Sequence, residues 1–194
     1  SIQNNYAEAI SFYDKAIQYE PNNAVTFLNR GNAKYALKDT KGALPDYIKV
    51  SQLQPNNVNV YFNLGTIYMT QNKSNEAIEA FKKYNSGLPN EWSGYKNTAD
   101  VYYTQLKQYD QAEIYYNKAY QINKSQKDII ERLGYSLLNQ KKIPQAIAMF
   151  NNQIALLPND YWGYYNLGAA YSVGKQPAES LKNLDIALAK RMVD

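Results

Sequence analysis

The chain has 194 residues, of which 45% are hydrophobic, and its formal net charge is +4. Charges of both signs are mixed along it, whereas a nucleic-acid-binding protein usually carries a basic stripe. Cysteine and histidine are both absent, which excludes disulfides, thiolate or imidazole metal sites, a cysteine nucleophile and a serine–histidine pair. We therefore expect a protein that is not an enzyme and that needs no metal or cofactor.

Targeting signals are not visible in the sequence. No stretch is long and apolar enough to span a membrane. The opening run SIQNNYAEAI has neither the basic start nor the apolar centre of a signal peptide. The expectation is a soluble protein with no membrane contact, and the sequence leaves its compartment open.

In chain order, the first predicted element is a single amphipathic helix within residues 1–23. Pro21 ends it, because proline disfavours helical geometry in the residue before it. Two helices are then predicted in each of five full repeats, since apolar residues recur at helical spacing on both sides of a short polar turn. These repeats span 24–57, 58–91, 92–126, 127–160 and 161–194.

The repeat period is 34 residues, with 35 in one case, and several residue series share it. We expect the small residues to lie where the two helices of a pair cross, because a bulky side chain would separate the helix axes. In the first helices this series is Gly31, Gly65, Ala99, Gly134 and Gly168. In the second helices it is Ala9, Ala43, Ala77, Ala112, Ala146 and Ser180, each followed four residues later by an aromatic residue or leucine.

Three residues interrupt this regularity. The repeat 92–126 is one residue longer than the others, and we assign the extra residue to the interhelical turn at Gln108. Pro45 falls early in a second helix, so we expect that helix to start late or to bend. Pro177 falls at a helix start, where proline is favoured.

Segments such as NEAIEAF, DQAEIYY and YYNLGAAY make the pattern resemble the tetratricopeptide repeat (TPR). The family motif is W-x2-L-G-x2-Y followed by alanine, an aromatic residue, alanine and proline. The resemblance implies an all-α fold: a right-handed α-solenoid, or superhelix, of antiparallel helix pairs, forming a single domain over residues 1–194. It also implies a scaffold or adaptor for protein–protein interaction, which binds an extended segment or a helix of a partner in a concave groove.

The resemblance further implies that the first helix of each repeat lines this groove. The sixth repeat position then holds Asn29, Asn63, Asn97, Arg132 and Asn166. An asparagine amide both donates and accepts, so a ladder of such groups can bind a peptide backbone of any sequence; the alternative, that asparagine is simply common here in the family, stays open. The other candidate partner-binding residues are Asn32, Tyr35, Phe62, Lys96, Tyr103, Tyr135, Trp162 and Tyr165, surrounded by Leu28, Asp100, Asp128 and Glu131.

Several alternatives remain from the sequence. Members of the family that bind heat-shock chaperones clamp a terminal carboxylate with lysines, but Leu28 and Ser93 stand in their places. Asp128 and Glu131 could form a catalytic acid pair, although an exposed helix face is the simpler interpretation. An RNA-binding helical repeat would need a basic groove. The chain could also self-associate through the uncovered first helix, at Ile10, Tyr13 and Ile17, or serve as the targeting arm of a larger enzyme.

Overall fold

The computed structural model describes residues 2–192, with side chains from Asn5 onward. Over that range it contains eleven α-helices, one π-helical turn and no strand, which confirms the all-α prediction. The π-helical turn is Tyr102–Leu106. The helices are α1 (Ile2–Tyr19), α2 (Ala24–Ala36), α3 (Thr40–Leu53), α4 (Val58–Thr70), α5 (Ser74–Gly87), α6 (Trp92–Val101), α7 (Tyr109–Ile122), α8 (Lys127–Asn139), α9 (Ile143–Leu156), α10 (Tyr161–Val173) and α11 (Pro177–Arg191).

Local chemistry explains several of the helix starts. The side chain of Asn23 accepts hydrogen bonds from the backbone amides of Val25 and Thr26 at the start of α2. Asp39 caps α3 in the same way, and Asp160 caps α10. Each cap satisfies backbone donors that have no partner within the helix itself.

The turns inside the helix pairs share one backbone feature. A residue with left-handed geometry follows each first helix, with φ between 56° and 64°, and the series is Lys38, Asn72, Lys107, Lys141 and Lys175. The next backbone amide then bonds back to a carbonyl in the helix that is ending; for example, Asp39 N donates to Lys34 O at 2.9 Å. This arrangement ends each first helix and turns the chain into the second.

The small residues lie at the helix crossings, as the sequence predicts. A Cβ atom added to Gly65 would lie 2.6 Å from the Phe81 ring, and one added to Gly134 would lie 2.5 Å from the Phe150 ring. Ala43, Ala77, Ala112 and Ala146 on the second helices are fully buried. The two helices of a pair therefore approach closely enough to exclude any larger side chain.

The chain folds into two compact units, Ser1–Pro89 and Asn90–Asp194. The first unit contains α1 to α5, and the second contains the π-helical turn and α6 to α11. Each unit has its own apolar core. The core of the first unit is built around Tyr47, Val50, Leu64 and Ile67, and that of the second around Tyr116, Leu133, Phe150 and Leu167.

Two local expectations need correction, and one is confirmed. The extra residue of repeat 92–126 is not taken up in the turn at Gln108. It is absorbed by the π-helical turn Tyr102–Leu106, in which the wider helical turn accommodates one more residue. Helix α3 begins at Thr40, ahead of Pro45, so a late start is wrong, and the alternative of a bend at Pro45 stays a prediction. Pro177 is the first residue of α11, as expected.

The first helix is less bare than the sequence suggests. Ile10, Tyr13 and Ile17 are only partly exposed, because α1 packs against α2 and Ile17 contacts the core of the first unit. The exposed aromatic side chains of α1 include Phe12 and Tyr19, with exposed fractions of 61% and 86%. The uncovered surface of α1 is thus displaced from the residues that the repeat pattern indicates.

Candidate partner-binding surfaces

In the first unit, the predicted binding residues lie on α2 and α4. Asn29 and Asn63 are partly exposed, and within the described residues neither amide takes part in a side-chain hydrogen bond. Asn32 is exposed, but its carbonyl oxygen accepts a hydrogen bond from the Tyr47 hydroxyl at 2.8 Å. Tyr35 is 40% exposed. Free amide groups and one exposed phenol therefore lie on the first helices of this unit.

Phe62, also predicted for binding, contributes to packing in the first unit. Its ring centroid lies 5.8 Å from that of Phe81 and 5.0 Å from that of Tyr84, with the rings inclined to each other. Such pairs stabilise a core beyond the area they bury. Phe62 remains partly exposed, so it is not enclosed in the core.

In the second unit, Lys96 lies in a charged environment. Its ammonium nitrogen is 3.0 Å from Asp100 and 3.2 Å from Asp128. Burial of the amine lowers its pKa, but the two carboxylates outweigh burial, so the pKa of Lys96 is raised. Asp100 also accepts a hydrogen bond from the buried Tyr116 hydroxyl. Lys96 is therefore paired within the protein rather than free for a ligand anion.

Tyr103 lies in the π-helical turn and helps to line a cavity of about 420 Å³, together with Asp128, Glu131, Arg132 and Tyr135. The Arg132 guanidinium carbon lies 5.7 Å from the centroid of the Tyr103 ring. Asn139 donates a hydrogen bond to the Tyr103 hydroxyl at 3.4 Å. Burial raises the pKa of Tyr103, so the hydroxyl is neutral at physiological pH and the cavity has phenol, carboxylate and guanidinium groups on its walls.

Asn166 differs from the other asparagines of the predicted ladder because it is fully buried. Its carbonyl oxygen accepts from the Tyr135 hydroxyl at 2.6 Å, and its amide nitrogen donates to Gln153 at 3.1 Å and Glu131 at 3.3 Å. Gln153 stands where the repeat has a small residue, and the amide of Asn166 satisfies its buried oxygen. Asn166 therefore has no free group to offer a peptide backbone.

Trp162 and Tyr165 lie on α10, with exposed fractions of 41% and 46%. Their rings meet edge to face, with centroids 5.5 Å apart and an angle of 87° between the planes. Asn97 on α6 is partly exposed and, like Asn63, has no side-chain hydrogen bond within the described residues. The second unit thus presents two exposed rings, one free amide and a charged cavity.

Sequence reasoning missed one charged cluster in the first unit. Asp46 is 1% exposed and accepts from Arg30 at 2.5 and 3.0 Å and from Lys34 at 2.8 Å. Arg30 also pairs with Asp14. The available signal was that Arg30 replaces the leucine of the repeat motif, and that an acidic residue lies sixteen positions later on the paired helix.

The paired helices bury their small residues against each other and leave polar groups free on the first helices. This combination defines an α-helical repeat scaffold. Family models agree: one described as "TPR repeat" matches residues 31–72, and one described as "Tetratricopeptide repeat" matches residues 1–23 and 99–126. The matched segments are tetratricopeptide repeats, and a repeat fold of this kind supports the class of protein-interaction scaffolds.

Solved structures share this fold. A crystal structure of MamA superposes with a TM-score of 0.81 at 25% identity, covering 87% of this chain and 92% of that one. Another MamA structure has a TM-score of 0.78 at 26% identity, covering 84% and 94%. YrrB, described as "a TPR protein with an unusual peptide-binding site", has a TM-score of 0.79 at 22% identity, covering 92% and 91%. No curated protein matches the chain.

Two properties of the described residues bear on other functions. None of the helices between residues 2 and 192 has the length and apolar character needed to cross a membrane. Within the same part of the chain, no three acidic side chains are grouped so that they could hold a metal ion.

Proposed function

We propose that the protein is an adaptor that holds an extended segment of a partner protein along its first helices and has no catalytic role of its own. The observation that carries this proposal is the state of Asn29 and Asn63, whose amides are partly exposed and have no partner among the described residues. In the proposal, the repeats 24–57, 58–91, 92–126, 127–160 and 161–194 each contribute one first helix.

The chemistry of the amide supports this function. Each amide can donate to a peptide carbonyl and accept from a peptide N–H, which suits a backbone whatever its side chains. Asn97 repeats this state in the second unit. Exposed aromatic residues, such as Tyr35 and Trp162, supply rigid contact area with a polar tip. YrrB, which has the same fold, is described as having a peptide-binding site.

Binding of extended peptides can be tested directly. Immobilised protein is incubated with a random library of twelve-residue peptides, and the affinities of captured peptides are measured for wild type and for Asn29→Ala plus Asn63→Ala. Because the amides contact the peptide backbone, the double substitution lowers the affinity for every captured peptide by a similar factor. Two lost hydrogen bonds correspond to a factor of about ten. N-methylation of alternate peptide nitrogens weakens binding to the wild type.

The matched control is Asn56→Ala plus Asn75→Ala, which removes two exposed asparagines of the same unit that lie outside the first helices. We expect this control variant to bind the captured peptides with wild-type affinity. Equal affinities for the two double variants would contradict the amide ladder, and a library from which nothing is captured would contradict peptide binding itself.

Self-association is a second candidate function, and the exposure of Phe12 and Tyr19 on α1 favours it. A second copy of the chain could cover these rings. Sedimentation of wild type and of Phe12→Ser plus Tyr19→Ser over a range of concentrations tests this candidate. A wild-type dimer that the variant loses supports it, and a wild type that stays monomeric contradicts it.

A further inference from the structure

The charges around the cavity of the second unit do not balance. Lys96 forms ion pairs with both Asp100 and Asp128. Arg132 lies over the Tyr103 ring and forms no ion pair with any described residue. Glu131 likewise has no lysine or arginine partner among residues 5–192, so this surface has three carboxylates and only two cations.

The carboxylate of Glu131 is held in place. Asn166 donates to one of its oxygens at 3.3 Å, and Asn166 is itself buried and bonded to Gln153 and Tyr135. The other oxygen of Glu131 has no hydrogen-bond partner among the described residues, and Glu131 lines the cavity. A fixed acceptor loses little conformational freedom when it binds a ligand, which favours affinity.

Aromatic groups lie on the adjoining helix. Trp162 is one helical turn before Asn166, so the two residues share a face of α10. Tyr165 contacts Trp162 edge to face, and both rings are exposed. A cation placed over such a ring is attracted by its negative face, and tryptophan is the best aromatic partner for this interaction.

We propose that the second unit selects a lysine or arginine side chain of the bound segment, whose charged group contacts the carboxylate of Glu131 and the exposed rings of Trp162 and Tyr165. This inference rests on the proposed function and names the chemistry of the partner. An anionic side chain is disfavoured, since it would face Glu131 and Asp128. Arg132, which can only donate hydrogen bonds, suits the backbone carbonyls of the same segment.

The first unit lacks this chemistry. Leu28 stands in the repeat position of Glu131, and Val25 or Asn59 in that of Trp162. We therefore expect preference for a basic side chain to depend on residues of the second unit alone. This difference provides an internal reference for the experiment.

The test sequences the random twelve-residue peptides captured by wild type and by Glu131→Gln, Trp162→Ala and Glu179→Gln. Lysine and arginine are enriched at one position with the wild type and with Glu179→Gln, which alters an exposed glutamate on α11. The enrichment is lost with Glu131→Gln and reduced with Trp162→Ala. Glutamine can still accept from Asn166, so Glu131→Gln removes the charge and retains this hydrogen bond.

A second measurement uses one captured peptide in which the selected residue is made as arginine or as its neutral isostere citrulline. Arginine binds the wild type about tenfold more tightly than citrulline, as a charge-assisted contact predicts, and Glu131→Gln abolishes the difference. Peptides captured without basic enrichment, or an arginine preference that Glu131→Gln retains, would overturn this inference and leave the proposed function standing. A library without any captured peptide would instead overturn the proposed function, and this inference with it.

Discussion

Asn63 in the first unit and Asn166 in the second occupy the same repeat position, 103 residues apart, yet only one of them is free. Asn166 bonds to Gln153, Glu131 and Tyr135. The residues 103 positions before these three are Val50, Leu28 and Asn32, two of which have no polar side chain. Whether the amide of such an asparagine is free therefore depends on the side chains of the neighbouring helices and not on the asparagine itself.

A second contrast between the units concerns buried charge. The first unit buries the carboxylate of Asp46 against Arg30 and Lys34. The repeat positions of Asp46 in the second unit are occupied by the uncharged residues Tyr115, Met149 and Asn183. The first unit therefore holds an almost fully buried carboxylate between its paired helices, and the second unit has no carboxylate at the corresponding positions. Substitutions that act on one unit only can test this difference.

The largest effect is expected for Asp46→Ala. It leaves Lys34 without its counter-ion and Arg30 with only the exposed Asp14. Because both cations keep some solvent exposure, we expect a loss of about 3 kcal/mol in the free energy of unfolding. Urea denaturation measures the loss, and hydrogen exchange places it in α2 and α3. Asp14→Ala, at a carboxylate whose side chain is 52% exposed, costs less than about 1 kcal/mol. Equal losses for the two variants would mean that the buried cluster does not stabilise the first unit.

A smaller effect, about 2 kcal/mol, is expected for Asn166→Ala. The substitution leaves the Tyr135 hydroxyl and the side chain of Gln153 without their partner in a buried site. Asn63→Ala is the matched control, and we expect a change within about 0.5 kcal/mol because its amide is free. Urea denaturation of both variants sharpens the comparison of the two asparagines. An equal loss of stability for Asn63→Ala and Asn166→Ala would contradict the conclusion that only Asn166 is held by its neighbours.

Alkaline pH is expected to destabilise both units. Burial raises the pKa of Tyr47 to about 12 and that of Tyr135 to about 12, from an ordinary value of 10.0. The folded state therefore keeps protons that the unfolded state loses, so stability is full below pH 10 and falls as pH rises towards 12. At pH 11 the expected loss is about 1 kcal/mol for each tyrosine after screening.

Urea midpoints at pH 9 and pH 11 measure this dependence. Tyr47→Phe and Tyr135→Phe each reduce the difference between the two midpoints, in the first and second unit respectively. Tyr19→Phe is the control, since Tyr19 is 86% exposed. If Tyr47→Phe and Tyr135→Phe both left the difference between the two midpoints unchanged, burial of these tyrosines would not be the cause of the alkaline destabilisation.

The smallest effect, and a stabilising one, is expected for Lys175→Gly. Lys175 has φ of 58°, a left-handed geometry that is costly for a residue with a Cβ and that glycine adopts freely. We expect a gain of up to about 1 kcal/mol in the free energy of unfolding, with a similar gain for Lys38→Gly in the first unit. Thermal unfolding measures both. Lys182→Gly, inside α11, is expected to destabilise instead by about 1 kcal/mol.

Much of the fold was predictable because the same packing residues recur at equivalent positions in each helix pair. The small residue at Gly65 and the aromatic residue at Phe81 recur together, so the helix crossing that joins them could be inferred from the period alone. The exposure of Trp162 and Tyr165 was predictable for a related reason, since both lie outside the core positions of the motif.

The site was less predictable, because availability depends on residues outside the motif. Nothing in the sequence around Asn166 indicates that Gln153 and Tyr135 reach it from two other helices. The π-helical turn was missed for a different reason. One additional residue gives the same 35-residue repeat whether it lies in the turn or in the helix, so the sequence pattern does not select between the two placements.

The π-helical turn bears on how such a chain can gain or lose a residue during evolution. Gln108 N bonds to Tyr102 O at 2.9 Å, so the widened turn closes on itself, and α7 starts with its buried residues correctly placed. An inserted or deleted residue at the end of a first helix can therefore be accommodated where it occurs, and no later helix is rotated out of position. Variation in length at this point therefore changes the side chains at the end of the first helix and leaves the packing of the later helices unchanged.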